Sequence, residues 1–445
     1  MLLSIKDRLK HTRLSTVEIC LLLILLIFGL PMILLIPPGA GYDEEDHLVR
    51  VWELSAGSFI PGQMSPQELR YPTVFRDFAY RQQGSSDVID SDFWQSFRRA
   101  ALDERGSVRR EINTKSVYSP ALLLPQAMVM GLFGRVADLP ALPVFYLCRL
   151  ASLLSYLILA WLAVRLIPFG KWILVVLALS PMALFQAATV TPDAISNSIG
   201  FLFVAGCLWL AKAPQVTWRE TGYLILLIFL LFLAKLNLLP LILLPFLLIL
   251  PVHFASRKLY LILLTTTTVL FSIEVAGWNL VASRNFGSLV LDEANPRGQV
   301  LYMLEYPLSF LIVTLRDLMA NGWLYFREWI NGYGYYYWTP PWIVSLLFLL
   351  SLGCGLVLDS TSGMLSRRLR TALLLVFVAS YIVTIASIYI SYAPVGADQV
   401  SGVQGRYFIP LGLPLLLVLA SLLPKRNFRF PSLTWSIVFL VSALS

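Results

Sequence analysis

Pro37-Pro38-Gly39-Ala40-Gly41-Tyr42-Asp43-Glu44-Glu45-Asp46-His47-Leu48-Val49-Arg50 is the stretch on which the reading of this chain turns. It follows directly on the apolar run Val17–Ile36. A bilayer core of about 30 Å takes roughly 20 apolar residues in helix, and that run supplies them. Pro37, Pro38 and Gly39 then end the helix, because proline lacks an amide donor and glycine accepts any turn. Four carboxylates, an imidazole and a guanidinium therefore stand where the chain leaves the membrane.

Two readings of the cluster compete. As a helix start, Asp43 caps while Glu44, Glu45 and Asp46 fill a first turn that favours negative charge by about 0.3–1 kcal/mol each. His47 then shares a face with Asp43, Asp46 and Arg50 pair at i,i+4, and Leu48, Val51, Trp52 and Ser55 form the stripe of a helix lying on the membrane surface. As a site, the cluster presents acids for chemistry. One or two acids suffice for a cap, and four are present.

The whole composition is that of a membrane protein. Of 445 residues, 58% are hydrophobic and 13% charged, and apolar runs recur too often for a soluble core. The expected fold is all-α and polytopic. The first run is too long for a cleavable signal, and no small-residue cleavage site follows it. Cys20, Cys148, Cys207 and Cys354 fall in apolar runs without metal-like spacing, which indicates neither disulfides nor zinc. A net charge of +8 reflects the bias of basic residues to cytoplasmic loops rather than a nucleic-acid partner.

Lys6, Arg8, Lys10 and Arg13 precede the first span, which puts the amino terminus in the cytoplasm and Asp43 outside. Later spans are expected at about 143–166, 171–190, 194–211, 222–235, 238–252, 259–280, 341–358, 371–392, 406–423 and 432–445, about 11 in all. Arg165 and Lys171, Lys212 and Arg219, Arg257 and Lys258, Arg367 to Arg370, and Lys425 to Arg429 then all fall on the cytoplasmic side. The pair 222–235 and 238–252 is short and proline-broken, as in tilted or half-buried helices. The chain reads as one transmembrane domain, 1–445, with a large first external loop at 37–142 and a second external segment at 281–340. Inside the first loop, Ser119–Arg135 is apolar but interrupted by Pro125, Gly131 and Gly134, which predicts a re-entrant or surface helix.

Several charges lie in or beside the expected spans. Arg149 stands two turns inside the second span, Glu274 inside the seventh, and Lys235 and Arg406 at outer ends. A charge at mid-bilayer costs about 2.5–3.5 kcal/mol on insertion scales, so such residues are paired or functional. Lys235 and Arg406 also suit snorkelling to the interface, and Glu274 suits neutralising one of the cations. Outward acids beside membrane-edge cations fit a lipid-linked phosphate: the cation holds the anion, and a carboxylate takes a proton from an incoming hydroxyl. That arrangement describes glycosyl transfer from a polyprenyl-phosphate sugar. Trp323, Tyr335 and Trp338 would stack on sugar faces, although interfacial aromatic belts use the same residues.

Three motifs carry a resemblance. They are Asp43-Glu44 with His47, the run Ser180-Pro181-Met182 through Phe185-Gln186-Ala187-Ala188 to Thr191-Pro192-Asp193-Ala194, and Gly402-Val403-Gln404-Gly405-Arg406-Tyr407-Phe408-Ile409-Pro410. Together they resemble a widespread bacterial family of polytopic membrane proteins, formerly of unknown function and similar to the GT-C glycosyltransferases. The resemblance extends from about Pro37 to Pro410. It implies a GT-C-like fold with Ser119–Gly134 as a juxtamembrane helix, and Asp43, with Glu44, as the base. Asp193 would be a second acid, and Arg406 or Arg149 would hold the donor phosphate. His47, Lys235, Gln404 and Tyr407 join them as substrate-binding candidates. The chain departs from the family pattern by carrying Glu45 and Asp46 where a proline usually follows the acidic pair. That extra charge leaves open a divalent cation, Mg or Mn, on Asp43, Glu44 and Asp193.

The expected activity is thus that of an inverting transferase acting on the outer face of a bacterial inner membrane, with a polyprenyl-phosphate sugar donor and a glycan or lipid acceptor. A lipid-linked polysaccharide polymerase or ligase is the alternative, and a lipid-glycan transporter is a third. No internal repeat and no inverted pair of broken helices supports a transporter, and most polar groups cluster at one face.

Overall fold

Ser15 opens the first helix with a capping box: its hydroxyl accepts from the Glu18 amide, and the Glu18 carboxylate accepts from the Ser15 N–H at 2.8 Å. Helix α1 then runs Thr16–Leu35 and stops before Pro37-Pro38-Gly39, as the sequence predicts. The structure is a computed structural model that describes residues 14–60, 70–72, 74–75, 95, 97–102, 108–109, 117–278, 295–334, 340–359 and 365–424. Helix α2 covers Glu44–Ser55. The expected helix in the first loop is a composite of a 3-10 turn at Pro120–Leu123, α3 at Leu124–Val129 and a π-helical stretch at Met130–Val136. Then come α4 (Ala141–Leu166), α5 (Lys171–Ala178), α6 (Pro181–Ala187), α7 (Asp193–Leu210) and α8 (Trp218–Phe232). A 3-10 helix at Leu236–Ile242 leads into α9 (Leu243–Leu248), and α10 (Arg257–Ser272) continues into a π-helical turn at Ile273–Trp278. The remainder is α11 (Pro296–Glu305), α12 (Pro307–Ile330), α13 (Trp342–Leu358), α14 (Arg367–Tyr392) and, after a 3-10 turn at Gly405–Phe408, α15 (Ile409–Leu422). A two-residue antiparallel pairing joins Arg70–Tyr71 to Val108–Arg109.

By length and composition, α1, α4, α7, α14 and the unit Gly405–Leu422 can cross a membrane among the described residues. Helices α11 and α12, bent by 105°, pass together as a broken span or a re-entrant pair. That makes five such helices, or six with the bent pair, against the eleven expected spans. The stretch 171–190 divides at Leu179-Ser180, where Pro181 takes the first position of a new helix. Pro240 and Pro245 leave 238–252 as a 3-10 turn and a short helix. Helix α8 has 15 residues and α13 has 17, while 432–445 lies outside the described residues. The segment 281–340, expected outside the bilayer, carries the α11–α12 pair, and α12 exposes Leu308, Leu315 and Met319.

Helix α7 is the core: every residue of it is buried. Ser196, Ser198, Gly200 and Gly206 keep its surface thin, so α4, α8 and α15 pack closely on it. Helices α1 and α4 pack side by side and are clamped at both ends by buried Arg–Glu pairs. Arg165 donates to Glu18 at 2.9 Å at one end, and Arg149 holds Glu44 at the other. Between Glu18 and Ile36 the rise of 1.5 Å per residue places the clamps about 27 Å apart, close to the thickness of a bilayer core.

Away from the spans, Asp359 caps α5 from the end of α13: its carboxylate accepts from the Trp172 and Ile173 amides. Burial pushes that carboxyl up to about 6, against the downward pull of the two amides and Lys171. Its folded value therefore exceeds the ordinary aspartate value of about 3.9. Its stabilising contribution is complete below about pH 4 and is lost as the pH rises through about 6. Asp359→Asn should flatten the pH dependence of thermal unfolding in that window; an unchanged profile would remove Asp359 as its source.

The motif glycine Gly405 lies directly under α12, where Glu328 accepts its amide at 2.6 Å. A Cβ there would overlap the Tyr325 carbonyl oxygen and stand 2.7 Å from the Trp329 nitrogen, and backbone atoms cannot yield. Gly405→Ala should cost about 1–3 kcal/mol or more in detergent-solubilised unfolding. Gly353→Ala, in a helix with open space around it, should instead add about 0.4–1 kcal/mol. Equal effects of the two would contradict the close approach at Gly405.

Candidate functional site

Glu44, the first residue of α2, is fully buried and both of its oxygens are saturated. Oε1 accepts from Arg149 Nε at 2.8 Å and the Val190 amide at 2.9 Å. Oε2 accepts from an Arg149 terminal nitrogen at 2.6 Å and from the Gly39 and Gly41 amides at 3.1 and 3.3 Å. Arg149 is equally committed. Its remaining donors go to the Ile33, Ile36 and Pro37 carbonyls at 2.9, 2.5 and 3.0 Å, which close the carboxyl end of α1. A guanidinium has five N–H donors, and all five are used here. Glu44 and Arg149 therefore tie α1, α2, α4 and the loop before α7 together, and neither has a lone pair or proton left for a substrate.

Asp43 goes the other way. It holds a left-handed conformation, φ 51°, at the amino end of α2, and its side chain makes no capping hydrogen bond. The capping reading thus fails for Asp43, and so does the surface-helix reading, because α2 is buried on nearly all sides. Arg50 turns to Glu53 at 2.7 Å and to the Ser58 and Phe59 carbonyls, rather than to Asp46. The Asp43 side chain lines a cavity of about 200 Å³. Its walls include Tyr118, Ser119, Lys235, Asn237, Glu274, Thr384, Ser387, Ser391 and Tyr407.

Asp193 begins α7 and is buried between two cations. Lys235 pairs with its Oδ1 and Arg406 with its Oδ2 at 2.8 Å, while Gln186 Nε2 donates to Oδ2 at 3.0 Å. Asn197 holds Gln186 in turn at 2.8 Å. The Ser180–Ala194 motif thereby supplies both the acid and the amide that orients it. Gln404 accepts from Arg406 Nε at 2.6 Å, and the Arg406 guanidinium lies 3.8 Å over the Tyr42 ring and 5.2 Å from the Tyr407 ring. Lys235 sits 4.5 Å over Tyr118 and 5.6 Å from Tyr407. Asp43 is within electrostatic reach of Arg406, and His47, packed on Tyr118, within reach of Asp193. Asp43 and Asp193 thus face Lys235 and Arg406 beside the cavity, with Glu274 a third acid on its wall.

The three acids named for a divalent cation do not fit one. Glu44 is saturated by N–H donors, and both oxygens of Asp193 face cations. Among the described residues, no group of three or more His, Cys, Asp or Glu side chains is placed to hold a metal. All four cysteines are free thiols.

All three motifs thus meet at one place in the fold. Residues 26–440 match the family described as Predicted membrane protein (DUF2142). The chain belongs to that family. No curated protein and no solved structure matches it.

In this DUF2142 protein the expected site residues separate into two groups. Asp43, Lys235 and Tyr407 line the cavity, with Asp193, Arg406, Gln404 and His47 behind them; Glu44 and Arg149 form the structural tie. Trp323 is exposed on α12 and is absent from the cavity wall, and Tyr335 and Trp338 lie outside the described residues. Tyr118, Asn237, Thr384, Ser387 and Ser391 are cavity residues that the sequence did not single out. The last three share one face of α14 at spacings of three and four, a hydroxyl stripe in an apolar helix that was available as a signal.

Breaking a buried ion pair leaves an uncompensated charge and costs about 3–5 kcal/mol. Glu44→Gln and Arg149→Ala should therefore each lower unfolding stability by about that much. Asp43→Asn should change it by about 0.5 kcal/mol or less, since asparagine also tolerates the left-handed conformation. A stable, well-folded Glu44→Gln protein would refute the structural role of the tie.

Proposed function

We propose that this DUF2142 protein is a membrane glycosyltransferase of the GT-C kind. It moves a sugar from a polyprenyl-phosphate donor to an envelope glycan or lipid acceptor on the outer face of the bacterial inner membrane. The observation that carries the reading is that Asp43 and Lys235 line one cavity, backed by an Asp193–Arg406 pair at the ends of two apolar helices. A carboxylate and an ammonium in one cavity of mixed polar and apolar lining suit a substrate that is anionic, hydroxylated and lipid-tethered.

In the reaction, the acceptor hydroxyl oxygen forms a bond to the anomeric carbon of the donor sugar. The bond from that carbon to the phosphate oxygen breaks, and its electron pair leaves with the polyprenyl phosphate. The hydroxyl proton passes to the Asp43 carboxylate. Lys235 answers the charge that develops on the phosphate, and Asp193, itself anchored by Arg406, holds Lys235 in place. One displacement with one base inverts the anomeric centre. A cavity of about 200 Å³ is smaller than the roughly 300–1,000 Å³ of drug-sized ligand sites, which favours transfer of a single sugar over a polymerase handling a lipid-linked oligosaccharide.

General-base catalysis contributes typically 10²–10⁴-fold, so Asp43→Asn should lower transfer at least about a hundredfold while the protein still inserts and folds. Mass spectrometry of envelope glycans from cells with and without the gene should show a missing hexose. Cells carrying Asp43→Asn should reproduce that loss. Intact glycans in the Asp43→Asn strain would exclude Asp43 as the base, and intact glycans in the deletion strain would exclude the transferase reading itself.

A further inference from the structure

Glu274 is the one acid in the long apolar stretch Leu259–Trp278, and the structure brings it to the wall of the Asp43 cavity. It sits in the Ile273–Trp278 turn, where α10 widens from α- to π-helical bonding. Such turns are rare and recur at functional sites, because the extra residue per turn re-aims the side chains that follow. A carboxyl group in so apolar a stretch of chain costs enough that a purely incidental placement is disfavoured.

The wall beside it has a matching chemistry. Helix α14 presents Thr384, Ser387 and Ser391 to the cavity, and each hydroxyl donates to its own helix, to Ser380, Thr384 and Ser387 carbonyls at 2.7–2.8 Å. With their protons engaged, these hydroxyls offer lone pairs to a ligand, and Glu274 adds its carboxyl oxygens as acceptors. A wall of acceptors is unsuited to a polyprenyl chain or to a phosphate, whose oxygens are acceptors too. It suits a ligand rich in O–H donors.

Building on the transferase reading, we infer that Glu274, with the Thr384–Ser387–Ser391 face, is the subsite that holds the sugar ring of the donor by accepting its hydroxyls. Lys235, on the same cavity, holds the phosphate of that donor. The two ends of one ligand are thus recognised by opposite chemistry: cation for phosphate, acceptors for sugar. Glu274 is a ligand-binding residue and takes no proton in the reaction.

The test compares equilibrium binding of polyprenyl-phosphate glucose (with the galactose and N-acetylglucosamine donors beside it), polyprenyl phosphate and uncharged polyprenol to the purified full-length protein in nanodiscs. Loss of one hydrogen bond corresponds to roughly fivefold in affinity. Wild type should prefer polyprenyl-phosphate glucose over polyprenyl phosphate by about that factor, and polyprenyl phosphate over polyprenol. Glu274→Ala should abolish the first preference and keep the second, with Glu274→Gln intermediate; Lys235→Ala should abolish the second. Thermal unfolding of each variant, measured beside binding, confirms that a folded protein is compared. A sugar preference that survives in folded Glu274→Ala, or that wild type lacks for glucose, galactose and N-acetylglucosamine donors alike, overturns the Glu274 subsite. Absence of any preference for phosphate over polyprenol in wild type overturns instead the donor reading on which it rests.

Discussion

The constraint on which the rest depends is the buried pair of Glu44 and Arg149. It does two things at once. Arg149 closes the carboxyl end of α1 by taking the Ile33, Ile36 and Pro37 carbonyls, and Glu44 gathers the amides of Gly39, Gly41 and Val190. A helix end at the membrane boundary otherwise leaves carbonyls without partners, at several kcal/mol each where water is absent. The charged pair is the agent that satisfies them, so the break at Pro37-Pro38-Gly39 is tolerated. With the Arg165–Glu18 pair at the far end, α1 and α4 are held against sliding.

That tie also sets the position of the groups around the Asp43 cavity. Because Glu44 receives the Val190 amide, the turn before Asp193 is fixed relative to Asp43. Asp193 then fixes Lys235 from the end of α8 and Arg406 from the turn before α15. Burying one carboxylate between two cations is costly in isolation, but the cluster includes Gln186, Gln404 and three tyrosine rings, so most of its polar atoms have partners. Gly405 is required by the same geometry: only a residue without a side chain lets the Arg406 turn lie against α12.

The split between Asp43 and Glu44 explains how one acidic run serves two ends. Adjacent residues on a helix point about 100° apart, so a carboxylate aimed at Arg149 forces its neighbour elsewhere. The left-handed backbone at Asp43 completes that separation. For a non-glycine residue such a conformation carries a cost, and short polar side chains tolerate it best. The charge count of the motif is accordingly shared between fold and cavity.

Several features follow from the sequence alone. The length and apolar character of Val17–Ile36 and of the later runs, with the proline breaks, depend only on local propensity and on the thickness of a bilayer, so α1, α4, α7 and α14 were legible as apolar helices. The motifs around Asp43, Asp193 and Arg406 were legible as a set, and the structure brings them together. The tertiary structure decided what local pattern cannot. It gave Arg149 to the fold rather than to the site, divided 171–190 and 238–252 into short helices inside the bundle, and turned Glu274 and the hydroxyl face of α14 towards the same cavity as Asp43. The physical reason is that a buried charge is defined by its partners, and these partners lie more than a hundred residues away along the chain.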